Sequence, residues 1–385
     1  MLLYALAYAG GFVAYVPLLT ILLPVKMAAA AGETRVEWLA AATLLGAISA
    51  SVANVGFGWA SDLTRSRRPW IWAGLLLTIA TYGLLHLAQA PALIVAGIIA
   101  WQFVLNMMLS PLAALAADHV PDHQKGVLGG LLGAGPPIGA FAAVIVTLPG
   151  ITGERAQFTL TCLMIAALLL PLLLAGRARP VAVAHTPPPQ GAARTLRHID
   201  LSLMWFARLL VQIAGSVLFG FLLYYFQSLP GEASPAIVAQ LCGATLAVAV
   251  PLALILGRAS DRLGARRPFL IGTTLAMAVG LGVMATTPAL PVAVAAYALF
   301  GCGSAIFLAL HSVYAMQMLP SADRRGRDLG LFNLTNTLPS ILSPLLAIAL
   351  VPGRGFGTLM GALAALSTIA AVLIAMVRSE RLKTA

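Results

Sequence analysis

The sequence predicts an all-α integral membrane protein with twelve transmembrane helices, arranged as two pseudo-symmetric six-helix bundles. Three observations carry this. Hydrophobic residues make up 60% of the 385 positions and charged residues only 9%, far from the roughly one quarter charged of soluble domains. The apolar residues fall in runs of about 20, the length that crosses a hydrocarbon core. Finally, GWASDLTRSRRPW at 58–70 returns as GRASDRLGARRPF at 257–269, an offset of 199 positions, and self-similarity of this kind marks an internal repeat.

In order, the apolar runs place spans at 2–25, 37–60, 70–88, 91–117, 127–149 and 156–176 in the first half. The second half contributes 201–227, 235–257, 268–287, 291–318, 328–351 and 357–377. The repeat extends beyond the opening motif. Pro121, Gly126, Gly130 and Leu131 are echoed by Pro320, Gly326, Gly330 and Leu331 once one inserted residue is allowed. This predicts an N-terminal bundle over 1–176, a linker over 177–200 and a C-terminal bundle over 201–385. The linker contains Pro187, Pro188 and Pro189, whose fixed φ and missing N–H oppose helix. A parallel duplication of six-helix units predicts a substrate site near the membrane midplane, exposed alternately by rocking of the halves.

Lys and Arg outside the spans set the orientation, since they stay on the cytoplasmic side. One side collects Arg65, Arg67, Arg68, Lys125, Arg177, Arg179, Arg194, Arg197, Arg258, Arg262, Arg266, Arg267, Arg324, Arg325, Arg327 and the tail, against Lys26, Arg35, Arg155 and Arg354 on the other. Both termini are therefore expected in the cytoplasm, with the chain multi-pass in a cell inner (plasma) membrane. Met1 opens directly into an apolar run without a basic n-region or cleavage site, which reads as a retained first helix.

The formal net charge of +11 lies in short turns at helix ends, facing lipid headgroups, so membrane lipids rather than nucleic acid are the expected partners. Cys162, Cys242 and Cys302 fall singly inside spans without CxxC or Cys/His spacing and read as small buried apolar residues. No metal-ligand cluster, nucleophile–base pair or Walker-type GxxxxGK[ST] occurs. Neither an enzyme nor an ATP-driven pump is expected, and no metal or cofactor.

Gly257, Asp261, Arg262, Gly264, Arg266 and Arg267, their partner copy and the twelve-span layout resemble the major facilitator superfamily over essentially the whole chain. The first copy departs from that pattern at Leu63 and at Thr64-Arg65-Ser66. There, with Arg67-Arg68-Pro69-Trp70-Ile71, it resembles the glycoside, pentoside and hexuronide cation symporters and the related sucrose transporters. The run Asn106-Met107-Met108-Leu109-Ser110-Pro111, leading to Leu115-Ala116-Ala117-Asp118, resembles the fourth-helix segment of plant-type sucrose transporters, although Ala113 stands where an arginine is expected.

The repeated turn, with Gly58, Asp62, Arg65, Arg67, Arg68 and Gly257, Asp261, Arg262, Arg266, Arg267, reads as a cytoplasmic gate, although positive-inside anchoring alone suffices for Arg65, Arg67, Arg68, Arg266 and Arg267 taken singly. Carboxylates beside clustered arginines form charge-assisted hydrogen bonds, and the resemblance implies that Asp62 helps hold the outward-facing state. Ionisable groups inside spans are costly and need a reason. Arg208 shares a face with Gln212 and Ser216, so it either lines a cavity or snorkels to the headgroups. Asp118 reads as a solvated helix end from topology; the sucrose-transporter resemblance implies proton coupling. His311 reads as a packing residue or a titrating group. Polar stripes at Gln102, Asn106 and Ser110, and at Asn333, Asn336, Ser340 and Ser343, suit a water-filled cavity or interhelical hydrogen bonds. Tyr8 and Tyr15, on one face of the first span, would suit a sugar. Asn54, Ser49 and Ser51 occupy the second span where melibiose-type symporters carry paired acids, which favours protons over sodium.

The expected function is secondary transport by alternating access, as proton-coupled uptake of a sugar or glycoside by a monomer. Proton-driven efflux of an amphipathic compound and a non-transporting assembly or pigment-delivery factor are the alternatives.

Overall fold

The structure is a computed structural model, and it describes residues 2–119, 134–175, 198–231, 233–264, 266–318 and 325–377. The described residues are helical throughout apart from short turns. Most of the expected linker, 177–197 of 177–200, lies outside them, as does the start of the fifth span.

The first span is one rod built from α1 (Leu2–Pro17), a π-helical turn (Leu18–Leu22) and α2 (Leu23–Ala31). Pro17 and Pro24 flank the π turn, where missing backbone donors make the wider register inexpensive. Helix continues to Ala31, beyond the expected end at 25, and Lys26 is therefore a helical residue. Gly32, with φ 55°, turns the chain into α3 (Arg35–Leu63); positive φ is accessible to glycine without a steric penalty. Then follow α4 (Arg68–Leu87), α5 (Pro91–His119), α6 (Gly135–Val146) and α7 (Glu154–Ala175). The second half contains α8 (His198–Gln227), α9 (Pro235–Leu263), α10 (Arg267–Thr286), α11 (Leu290–Met318), α12 (Arg325–Leu350) and α13 (Gly355–Met376). Among the described residues nine helical runs are long and apolar enough to span a membrane. One of them, Leu2–Leu63, holds both of the first two rods, and Gly135–Val146 and Leu334–Leu350 are shorter apolar helices. Together they supply the twelve spans.

α4 and α10 begin alike. In each an Arg-Arg-Pro sequence places proline in the first helical turn, where its φ is preset and no donor is wasted.

The chain divides into two compact units, Met1–Thr186 with Ser234–Gly243, and Pro187–Ala233 with Ala244–Ala385. Both are packed by the same rule. In the first, α1 packs on α5, α6 and α7, and α4 on α5 and α7. In the second, α8 packs on α11, α12 and α13, and α10 on α11 and α13. Shifting each partner by six spans converts these packings of the first unit into those of the second, as a duplicated sequence requires.

The core of each unit is aromatic at one level. Tyr82 Oη donates to Ala14 O at 2.7 Å, with its ring edge-on to Trp101 and Phe158. In the second unit Tyr225 Oη donates to Met284 O at 2.8 Å. A buried phenol needs an acceptor, and here each joins the first span of its unit to the third. Close backbone approaches fix the neighbouring pair: a Cβ on Gly74 would lie 2.6 Å from Met108 N, and one on Gly280 would lie 2.6 Å from Ala296 O. The three cysteines are half-buried and form no disulfide, rather than being buried as the sequence suggested.

Candidate functional site

The repeated turn has a left-handed backbone residue and an arginine N-cap at matching places in both units. In the first copy Arg67 Nη2 pairs with Asp62 Oδ1 at 2.5 Å, and Arg67 Nη1 donates to Ser61 Oγ at 2.7 Å. Ser61 is buried and donates to Gly58 O at 2.9 Å. Arg67 thus bridges the last turn of α3 to the N-terminus of α4 within its own loop. Arg65 carries φ 50°. In the second copy the matching position is Gly264, with φ 61°; Arg262 is exposed, Arg266 is the N-cap of α10, and the side chain of Asp261 lies outside the described residues.

The second arginine of each Arg-Arg-Pro has a different task. Arg68 Nη2 donates to Leu172 O at 3.3 Å, in the last turn of α7. Arg267 Nε donates to Ile374 O at 3.1 Å and its Nη2 to Ala375 O, in the last turn of α13. The final carbonyls of a helix have no intrahelical donors, and a cation there also meets the negative end of the helix dipole. Each arginine therefore ties the third span of its unit to the end of the sixth.

Deeper in the first unit a polar seam joins α3 to α5. Ser49 Oγ donates to Ile99 O at 2.8 Å, Asn54 Nδ2 to Asn106 Oδ1 at 3.3 Å, and Ser110 Oγ to Asn54 O at 2.7 Å. Asn106 Nδ2 donates to Gln102 O at 2.9 Å. Gln102 and Asn106 are buried and Asn54 is exposed. Gly58 comes close to the same seam, since a Cβ on it would lie 3.0 Å from Ser110 Oγ. Tyr15 stacks on Trp101 with centroids 6.5 Å apart, and Tyr8 is edge-on to Phe12 at 5.4 Å. The side chain of Asp118, at the end of α5, lies outside the described residues.

In the second unit a seam of the same kind joins α8 to α12. Arg208 Nε donates to Thr335 Oγ1 at 3.1 Å and Nη2 to Asn336 Oδ1 at 3.3 Å; Gln212 Nε2 donates to the same oxygen at 2.9 Å. One helical turn further, Ser216 Oγ donates to Ser343 Oγ at 3.2 Å. Arg208 is 9% exposed, which removes the snorkelling alternative, whereas Asn336 is exposed. His311 on α11 is completely buried, with Nε2 3.0 Å from Met204 O and its ring 5.0 Å from that of Phe307. The side chain of Asn333 lies outside the described residues.

A cluster not expected from sequence ties the first unit at the opposite end from the repeated turn. Lys26 Nζ pairs with Glu154 Oε1 at 2.8 Å and Oε2 at 3.0 Å, and His86 Nδ1 lies 3.2 Å from Oε1. The lysine is buried. A lysine at the end of one apolar run, a histidine at the end of the third and an acid opening the sixth were the available signal. Among the described residues no three His, Cys, Asp or Glu side chains converge as metal ligands.

The fold has known counterparts. A variant of the nucleoside transporter NupG superimposes with TM-score 0.74 at 15% identity, over 98% of this chain and 99% of that one. A variant of the peptide transporter POT gives 0.76 at 14% identity, over 97% and 93%, and a D-xylose-proton symporter gives 0.73 at 16% identity, over 98% of each. The chain has the major facilitator fold. By sequence, the family model described as Major Facilitator Superfamily matches residues 204–385. No curated protein matches the chain by sequence. Within this fold the repeated turn joins the second and third spans of each six-helix unit, and a polar seam joins α3 to α5 in the first unit and α8 to α12 in the second.

Proposed function

We propose that this protein is a secondary active transporter of the major facilitator superfamily, which takes up a sugar or glycoside with protons by alternating access. The observation that carries the reading is the pair of interior polar seams. Asn54, Gln102 and Asn106 in one unit and Arg208, Gln212 and Asn336 in the other combine buried polar groups with an exposed amide. Polar side chains in membrane helices are retained where they meet a polar ligand or one another, and amides with a guanidinium supply the donors and acceptors that hydroxyls need.

The halves 1–176 and 201–385 are the moving bodies, joined by the linker 177–200, and Asp62 and Asp261 belong to the gate between conformations. Both termini are cytoplasmic in this reading, because the basic turns lie on one side. Asp118 carries the coupled proton, with His311 buried behind Arg208. Asn54 on α3, in place of an acid, supports protons rather than sodium.

The deciding experiment is substrate-dependent proton uptake by the purified protein in liposomes, across a panel of sugars and glycosides under an imposed pH gradient. Accumulation of one of them with internal acidification supports the reading. Absence of flux and of binding across the panel overturns it in favour of a non-transporting scaffold. Asp118→Asn should abolish accumulation while leaving counterflow; full accumulation in that variant removes Asp118 from the mechanism.

A further inference from the structure

Between α9, α10 and α11 the second unit carries an apolar groove of about 450 Å³, walled by Leu252, Leu256, Phe269, Gly272, Leu299 and Cys302. The polar group at its edge, Thr273, already donates to Leu270 O at 3.0 Å. Leu252 and Leu299 are exposed, and a Cβ on Gly272 would meet nothing within 4 Å. These helices are membrane-spanning, so the groove opens to lipid.

The internal repeat shows that this groove is a departure from the first unit's design. The offset of 199 holds at Pro69 and Pro268 and again at Pro121 and Pro320. It therefore carries Phe57 onto Leu256, Trp70 onto Phe269, Ala73 onto Gly272 and Phe103 onto Cys302. In the first unit those positions hold an aromatic plug. Phe57 lies 5.5 Å from Trp70 and 5.1 Å from Phe103 between ring centroids, and Trp70 Nε1 donates to Thr64 Oγ1 at 2.9 Å. Two rings of that plug are replaced by Leu and Cys in the second unit, and the alanine is reduced to glycine. The space is what those substitutions leave.

One end of the groove is Pro268 and Phe269, in the first turn of α10. Beside it the α9–α10 turn supplies Arg258, Arg262 and Arg266, of which Arg258 and Arg262 are exposed, with Asp261 as the single acid. An apolar channel ending at a basic cluster has the polarity of an anionic phospholipid, whose phosphate would meet the arginines and whose chain would fill the groove.

We propose that the second unit binds an anionic phospholipid here, with an acyl chain between α9, α10 and α11 and its phosphate at the Arg258–Arg266 turn. A lipid held there links the bilayer to the gate motif of that unit.

The test uses the purified full chain in detergent, with phosphatidylglycerol and phosphatidylcholine of the same acyl chains as probes. Retention is read by native mass spectrometry and by lipid-dependent thermal shift. The wild type should hold phosphatidylglycerol about tenfold more tightly than phosphatidylcholine, the scale of a contact from one or two arginines at about 1 kcal/mol each. Cys302→Phe, which restores the first unit's ring, and Gly272→Leu should each weaken phosphatidylglycerol by a similar factor. The double change Arg258→Gln with Arg262→Gln should reduce it to the phosphatidylcholine level. Should Cys302→Phe fail to yield monodisperse protein, Gly272→Leu decides. Wild-type affinity in the filled variants, or equal affinity for the two lipids in the wild type, overturns the proposal. So does disulfide cross-linking of two chains through Cys302 in liposomes, which would place a second copy in the groove.

Discussion

Arg65 and Gly264 occupy the same place in two copies of one turn, and both have left-handed backbone angles, φ 50° and 61°. Only one of them is a residue suited to that conformation. A side chain with a Cβ costs roughly 1–2 kcal/mol there, and a glycine almost nothing. Arg65 is exposed, and a Cβ on Gly264 would meet nothing within 4 Å, so the difference is one of backbone and not of packing. Arg65→Gly should therefore stabilise the protein by up to about 1 kcal/mol, after the entropy glycine adds to the unfolded chain. Gly264→Ala should destabilise it by about 1–2 kcal/mol. Thermal unfolding of the two variants in the same detergent checks both signs.

Asp62 and Arg67 give the clearest separation of gating from stability. Asp62 is 65% exposed, and exposed ion pairs contribute about 0–1 kcal/mol. Asp62→Asn should leave the melting temperature almost unchanged. Under the proposed function it should slow transport at least tenfold, about 1.4 kcal/mol in the rate of the conformational step. Parallel melting and uptake measurements settle this, and unchanged uptake would reduce the pair to a local loop contact.

The span count and the repeat were legible because hydrophobic length and self-similarity are one-dimensional properties. The roles of the two adjacent arginines were not. Both read as positive-inside anchors, yet Arg67 turns back on its own loop and Arg68 reaches the far end of the sixth span. That distinction depends on where α7 ends in space, which no local pattern contains. Lys26 was similarly hidden: its position past an expected span end at 25 made it a loop residue, whereas the helix runs to Ala31 and buries it. The stripe from Arg208 through Gln212 was visible as four-residue spacing. Its partners Thr335 and Asn336 come from a helix more than a hundred residues away, and only packing selects them.

The Lys26–Glu154–His86 cluster should behave as a half-buried ion pair whose lysine is the buried member. Lys26 is buried while Glu154 and His86 are half-buried, so removing the acid strands the ammonium at a cost below the roughly 3–5 kcal/mol of a fully buried pair, whereas replacing both with apolar groups of similar size is near neutral. Glu154→Gln should therefore lower the unfolding free energy, and Lys26→Met in that background should recover most of the loss. A double-mutant cycle on thermal unfolding measures it. Additive losses would show that the two groups do not act as a pair.

Arg208 calls for the opposite comparison. A guanidinium inside a span costs roughly 2.5–3.5 kcal/mol on insertion scales, and its acceptors Thr335 and Asn336 are neutral in the seam. Stability alone gives little reason to keep a charge there. Arg208→Met retains the volume, removes the charge and leaves Thr335 and Asn336 to pair with each other or with Gln212. The net change in stability should stay within about 1 kcal/mol, because the relieved burial cost offsets the lost hydrogen bonds. Uptake, in contrast, should be lost, with substrate binding weakened at least tenfold. Melting and binding measured on one preparation separate the two roles. If melting collapses together with binding, the arginine is a strut between α8 and α12; if melting holds while binding disappears, its charge faces the substrate.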